Sequence, residues 1–163
     1  MQRKAVYPGS FDPFTNGHLD IVRRSLQVVD RVVVAILKNT SKQSMFSPEQ
    51  RKEVIEEVFA NEPRVEVKVF SGLLVEFCRQ NEVSIIIRGL RAVSDFDYEH
   101  AIFLMNRSLK PGLETMFLMS DTEHSFISSS IIREVASLGG EIEKHVPQIV
   151  ARKLRDRFQN QDK

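Results

Sequence analysis

Two polar segments near opposite ends of the chain carry the residue types from which phosphate sites are built. The first runs Tyr7-Pro8-Gly9-Ser10-Phe11-Asp12-Pro13 and continues as Thr15-Asn16-Gly17-His18. The second is Ile127-Ser128-Ser129-Ser130, closed by Arg133. Each lies where a strand-like run gives way to helical spacing, a junction that turns backbone N–H groups and a positive dipole end toward an anion. Two such junctions in one small domain imply a polyphosphate held at both ends, and so a nucleotide site. Gly9 and Gly17 allow the backbone to approach a phosphate closely. His18, on the first helical turn, can donate a hydrogen bond to a phosphoryl oxygen or satisfy the helix's own backbone; the sequence leaves both open. One serine suffices to cap a helix, and three offer hydroxyls and N–H groups beyond that need.

A third basic segment, Arg88-Gly89-Leu90-Arg91, follows the apolar run Ser84-Ile85-Ile86-Ile87 and suits phosphate binding. Lys42 lies in the polar loop Asn39-Thr40-Ser41-Lys42-Gln43-Ser44, where its spacing alone reads as a solvated charge. No G-x-G-x-x-G follows the first strand and no G-x-x-x-x-G-K-[ST] occurs, which disfavours ordinary dehydrogenases and P-loop proteins. His100, His124 and His145 share no ligand spacing with His18 or one another, so no protein-built metal site is expected. Cys78 stands alone and reads as a buried structural thiol. A formal net charge of +1 gives no electrostatic reason to expect nucleic acid or a membrane surface. The apolar runs are too short to span a bilayer, and Met1 leads straight into a strand, so the expected location is the cytoplasm.

The elements that must position these residues alternate. Strands are predicted at Lys4 to Tyr7, Arg31 to Leu37, Val65 to Phe70, Val83 to Ile87 and Thr115 to Met119. Helices are predicted over Leu19 to Val29, from the capping box Ser47-Pro48-Glu49-Gln50, and over Leu73 to Gln80. Further helices run from a cap at Ser94 or Asp95 to about Leu109, over Ser128 to Leu138, and from Pro147. Five βα units predict a Rossmann-like, doubly wound, five-stranded parallel sheet with helices on both faces, in a single domain of 163 residues with a frayed tail from Gln159 to Lys163. Ligands in such sheets bind beyond the carboxyl ends of the strands, where all three basic or polar segments fall.

Taken together, Tyr7 to Pro13, Asn16-Gly17-His18, Ile87-Arg88-Gly89-Leu90-Arg91 and Ser125-Phe126-Ile127-Ser128-Ser129-Ser130 resemble the bacterial phosphopantetheine adenylyltransferases, over essentially the whole chain. The Thr15 to His18 and Ile127 to Arg133 elements mark the wider nucleotidyltransferase superfamily. The RGLR segment and Asp97-Tyr98-Glu99 are specific to this member. The resemblance implies adenylyl transfer from ATP to 4′-phosphopantetheine, giving dephospho-coenzyme A and pyrophosphate, with Mg²⁺ bound mainly through ATP and a homohexameric assembly. It also implies roles by position. Ser10 and His18 would face the reacting phosphates, with His18 and Lys42 catalytic. Lys42 and Arg88 would hold the pantetheine phosphate, and Leu74 would line the pantetheine arm. Phe11, Gly89, Arg91, Glu99 and the stretch His124, Ser125, Phe126, Ile127, Ser128, Ser129, Ser130 would surround ATP.

Ser10 stands where the family commonly has threonine, which keeps the hydroxyl; Leu74 replaces a frequent methionine of similar bulk; His124 occupies a variable position. The nucleophile in such a reaction is a phosphate oxygen already ionised at neutral pH, so no general base is required. Catalysis then reduces to alignment and to stabilising charge at the α-phosphoryl group.

Overall fold

The structure, a computed structural model, describes residues 2–38 and 44–159. Lys42, with the rest of 39–43, lies outside the described residues, as do 160–163 of the expected tail; Gln159 closes the last helix.

Strands β1 (Lys4–Gly9), β2 (Arg31–Leu37), β3 (Val65–Phe70), β4 (Ile85–Leu90) and β5 (Glu114–Met119) form one sheet in the order β3-β2-β1-β4-β5. Every pairing is parallel, with Val6 opposite Val33 on one side and Ile86 on the other. Helices α1 (Asn16–Ser25), α2 (Pro48–Val58), α3 (Leu74–Gln80), α4 (Ser94–Leu109), α5 (Ser129–Ser137) and α6 (Gln148–Gln159) connect and follow them. The Rossmann-like parallel sheet expected from the sequence is the one observed.

Side-chain alternation along β2 explains why helices cover both faces. Val32, Val34 and Ile36 enter a cluster with Ile21 and Val22 of α1, Ile55 of α2, Ile132 of α5 and Leu154 of α6. Val33 and Ala35 enter the opposite cluster with Val75, Phe77 and Cys78 of α3. A strand buried on both sides must be apolar along its length, as Arg31–Leu37 is after its first residue. Cys78 is fully buried, and burial pushes its thiol up to about 11, consistent with a packing role. No helix among the described residues is long and apolar enough to cross a membrane.

Several boundaries differ from expectation: β1 runs on to Gly9 rather than ending at Tyr7, and others differ for local reasons. Helix α1 begins at Asn16 rather than Leu19 because Thr15 caps it, and it ends at Ser25; Leu26 and Val29 stay buried in the turns beyond. Strand β4 begins at Ile85, leaving the buried Val83 in the preceding turn and carrying Arg88 and Gly89 within the strand. Neither Ser94 nor Asp95 caps α4: Val93 precedes it with helical dihedrals and no side-chain cap bond forms. The Asp95 carboxylate instead accepts the Arg91 N–H at 3.1 Å and pairs with its guanidinium at 3.4 Å.

The chain order reverses between β1 and β4, which stand side by side while their crossovers leave in opposite directions. A crevice opens there above the strand ends, the usual ligand position of such sheets.

Candidate active site

A cavity of about 220 Å³ occupies that crevice. Its walls come from β1 (Tyr7), α1 and its cap (Thr15, Gly17, His18), the end of β4 (Gly89, Arg91) and the start of α5 (Ser128, Ser129), with His124 and Ile127 between. The first two phosphate-friendly segments and half of the third therefore meet in one place. A roomier groove of about 800 Å³ lies against α1, α2 and α6 and contains none of the predicted site residues.

His18 resolves the choice left open by its sequence position. Thr15 caps α1 and accepts the His18 N–H at 3.4 Å, while the Thr15 N–H is donated to His18 Nδ1 at 3.0 Å. A backbone N–H can only donate, so Nδ1 is an acceptor and the neutral ring carries its proton on Nε2. Burial, with the Arg91 charge as a smaller contribution, pushes the imidazole down from 6.5 to about 4. The ring is thus neutral across physiological pH and holds an N–H on the nitrogen the cap does not use. Phe11 stands edge-on to it with ring centroids 5.1 Å apart, and Phe14 lies 5.4 Å away, which fixes the ring plane. Capping uses Nδ1 and leaves the Nε2–H unclaimed by the cap.

Phe11 adopts a φ of 50°, a conformation costing a non-glycine residue on the order of 1 kcal/mol. Its ring is buried beneath His18 and against Tyr7, so only the backbone of Phe11 can face a ligand. A Cβ at Gly9 would sit 2.8 Å from that ring, which is why glycine ends β1. Ser10 is exposed on the same loop.

Each serine of the α5 run has a structural partner. Ser128 Oγ caps the helix by accepting the Ile131 N–H at 3.1 Å, Ser129 Oγ donates to the Pro13 carbonyl at 2.8 Å, and Ser130 Oγ accepts from Arg133 at 3.4 Å. The N–H groups of Ser129 and Ser130 have no partner among the described residues. What α5 offers an anion is therefore backbone N–H and dipole more than hydroxyl.

Arg88 and Glu99, expected on different substrates, form a bidentate ion pair: Nε and Nη2 donate to the carboxylate at 2.6 and 2.5 Å. A further donation from Nη1 reaches the Pro8 carbonyl at 3.3 Å. Two of the five guanidinium N–H groups remain for another acceptor. Arg91 is about half exposed and faces the cavity. Leu74 opens α3 and packs, half-buried, against the second core cluster; Ser125 is half-buried and Phe126 exposed, its ring edge-on to His145. The buried Nδ1 of His124 is the one buried side-chain polar atom without a partner among the described residues.

Sequence reasoning missed Tyr7, Ile21 and Ser120 as walls of the cavity. It also missed Asp12 as a buried polar centre beneath the first segment. Asp12 could have been found, since a carboxylate between Phe11 and Pro13 is an unusual buried residue and needs partners.

The fold and this crevice define a nucleotidyltransferase. Residues 6–135, more than half of the chain, match the cytidylyltransferase-like family model. The structure resembles a bifunctional NMN adenylyltransferase/ADP ribose pyrophosphatase from Francisella tularensis with a TM-score of 0.73 at 17% identity, over 98% of this chain and 52% of that one. That likeness shows the fold, and this chain spans about half the length of that protein. A phosphopantetheine adenylyltransferase of Moorella thermoacetica is 55% identical over 94% of this chain and 96% of its own length. Those of Leptospira biflexa (49% identical, 97% and 99% covered) and Clostridium tetani (53%, 88% and 89%) agree. The chain belongs to the phosphopantetheine adenylyltransferase family.

Proposed function

We propose that this enzyme transfers the adenylyl group of ATP to 4′-phosphopantetheine, giving dephospho-coenzyme A and pyrophosphate, reversibly and in the cytoplasm. A phosphate oxygen of 4′-phosphopantetheine attacks the α-phosphorus in line; the new P–O bond forms as the bond to the β-phosphate oxygen breaks, and pyrophosphate leaves with that electron pair. The observation that carries this reading is the neutral, pre-oriented His18, whose Nε2–H is available to a phosphoryl oxygen as charge builds there. The free N–H groups at the start of α5 suit the β- and γ-phosphates, and Gly89 and Arg91 suit the nucleoside side. Arg88, steadied by Glu99, keeps two donors for the phosphate of 4′-phosphopantetheine, with Lys42 as its partner in that task. Leu74 would line the pantetheine arm.

Among the described residues no group of three His, Cys, Asp or Glu side chains is placed to hold a metal ion. Mg²⁺ would arrive on the triphosphate and keep water as its other ligands, neutralising phosphoryl charge there. Self-association as a homohexamer accords with α4, a helix of 16 residues without a buried side chain that exposes Leu104 and Met105. Pyrophosphate release should require both ATP and 4′-phosphopantetheine. Release with CTP in place of ATP, or with nicotinamide mononucleotide in place of 4′-phosphopantetheine, would overturn the substrate assignment.

A further inference from the structure

The loop between β1 and α1 is gripped through its own carbonyl oxygens. Arg51 of α2, 5% exposed, donates from Nη1 to the Ser10 carbonyl at 2.5 Å. Arg133 of α5 donates from Nη1 to the Asp12 carbonyl. Ser129 donates to the next carbonyl, that of Pro13, at 2.8 Å. Ser129 and Arg133 are four residues apart and so lie on one face of α5, which makes their two bonds to consecutive carbonyls a single grip.

Asp12 sits at the centre of this arrangement. It is 5% exposed, and its carboxylate accepts the N–H groups of Met45 at 2.8 Å and Phe46 at 3.0 Å. Arg133 Nη1 lies 3.8 Å from the same carboxylate. A buried carboxylate is expensive unless its oxygens are matched, and these partners match it. Asp12, Met45, Phe46, Arg51 and Arg133 do not line the cavity; Ser129 does, and it joins the network to the cavity wall.

We propose that Arg133, with Asp12 as its counter-ion, is a positioning residue that sets the start of α5 against the β1–α1 loop. The two ends of one triphosphate are thereby met in a single geometry. This rests on the adenylyltransferase reading, in which His18 serves the α-phosphate and the α5 N–H groups serve the phosphates beyond it. A reaction without a general base depends on alignment, and a displacement of about 1 Å can cost up to a hundredfold in rate. Arg133 would act on turnover by aligning the groups that touch ATP, without touching the nucleotide itself.

The test compares Arg133→Met, which keeps the stem and loses the donors, with Arg133→Lys, which restores a cation near Asp12. We expect Arg133→Met to lower kcat about tenfold, with the Kd for ATP by calorimetry within about twofold of wild type, and Arg133→Lys to recover most of the loss. Hydrogen exchange without substrate should show weaker protection at Met45 and Phe46 in Arg133→Met and near-normal protection in Arg133→Lys. Because exchange needs no turnover, it judges the grip even if the wild-type protein fails to transfer an adenylyl group, a result that would sink the functional reading alone. An unchanged kcat would overturn the proposal, whether or not the melting temperature falls. So would a weakened Kd for ATP at unchanged kcat, which would make Arg133 a nucleotide ligand, or exchange at Met45 and Phe46 equal to wild type.

Discussion

At His18 the proposed function asks one side chain to serve the fold and the reaction with separate atoms. Its Nδ1 completes the cap with Thr15, and burial keeps the ring neutral with a proton on Nε2. Replacing His18 with alanine should lower kcat by about a hundredfold or more, the cost of removing one oxyanion-type donor. Circular dichroism should remain that of the folded protein. Near-normal turnover in the folded variant would reduce His18 to a cap. The pH behaviour has a definite sign. Above about 6.5 the ring is neutral in both folded and unfolded chains; as pH falls toward 4 the unfolded chain takes up the proton first, so stability is lost across that window and the loss is complete below it. Denaturant titrations between pH 7 and 4 should show a shallower decline in His18→Ala than in wild type, and an NMR titration should find the ring neutral from pH 5 to 8.

At the scale of elements, the α5 start is where a cap and a phosphate cradle must be told apart. Ser128→Ala removes the bond to the Ile131 N–H and should cost about 1 kcal/mol of stability in a denaturant melt, with ATP affinity little changed because the Ser129 and Ser130 N–H groups survive. Ser129→Asp brings a negative charge to those N–H groups and should weaken ATP binding in a calorimetric titration; unchanged affinity would mean that α5 does not hold the nucleotide. These local devices also show what a sequence can and cannot convey. The Ser47–Gln50 box was readable because its partners are three residues apart, and the start of α5 was readable from Ser128. The Thr15–His18 box has the same geometry, but histidine in the place of Glu or Gln hid it. Strand β2 was legible end to end from its apolar run and β3 from its alternation, whereas β4 starts two residues and ends three residues later than expected, Val83 being as buried as a strand residue. The Arg88–Glu99 pair joins β4 to α4 across eleven residues, and the grip of Arg133 on Asp12 spans 121. Such contacts depend on the folded sheet, and no spacing rule announces them.

At the scale of the whole molecule, the candidate crevice arises where β1 and β4 adjoin, so it is built by the sheet order rather than by any one segment. The surface of α4 and the edge strand β5 is unusual by comparison: Tyr98, Leu104, Met105 and Met119 are all more than half exposed. If copies of the chain associate through that face, a Leu104→Glu, Met105→Glu double variant should shift the light-scattering mass toward the monomer without changing circular dichroism. A wild-type protein that is monomeric at micromolar concentration would contradict the homohexamer. The account's central claim concerns which bond is made. The most direct measurement supplies 4′-phosphopantetheine carrying heavy oxygen throughout its phosphate, together with unlabelled ATP, and reads the products by mass spectrometry. In-line attack by the substrate phosphate predicts dephospho-coenzyme A that retains every labelled oxygen, with unlabelled pyrophosphate. AMP as the main product, or label appearing in pyrophosphate, would contradict it.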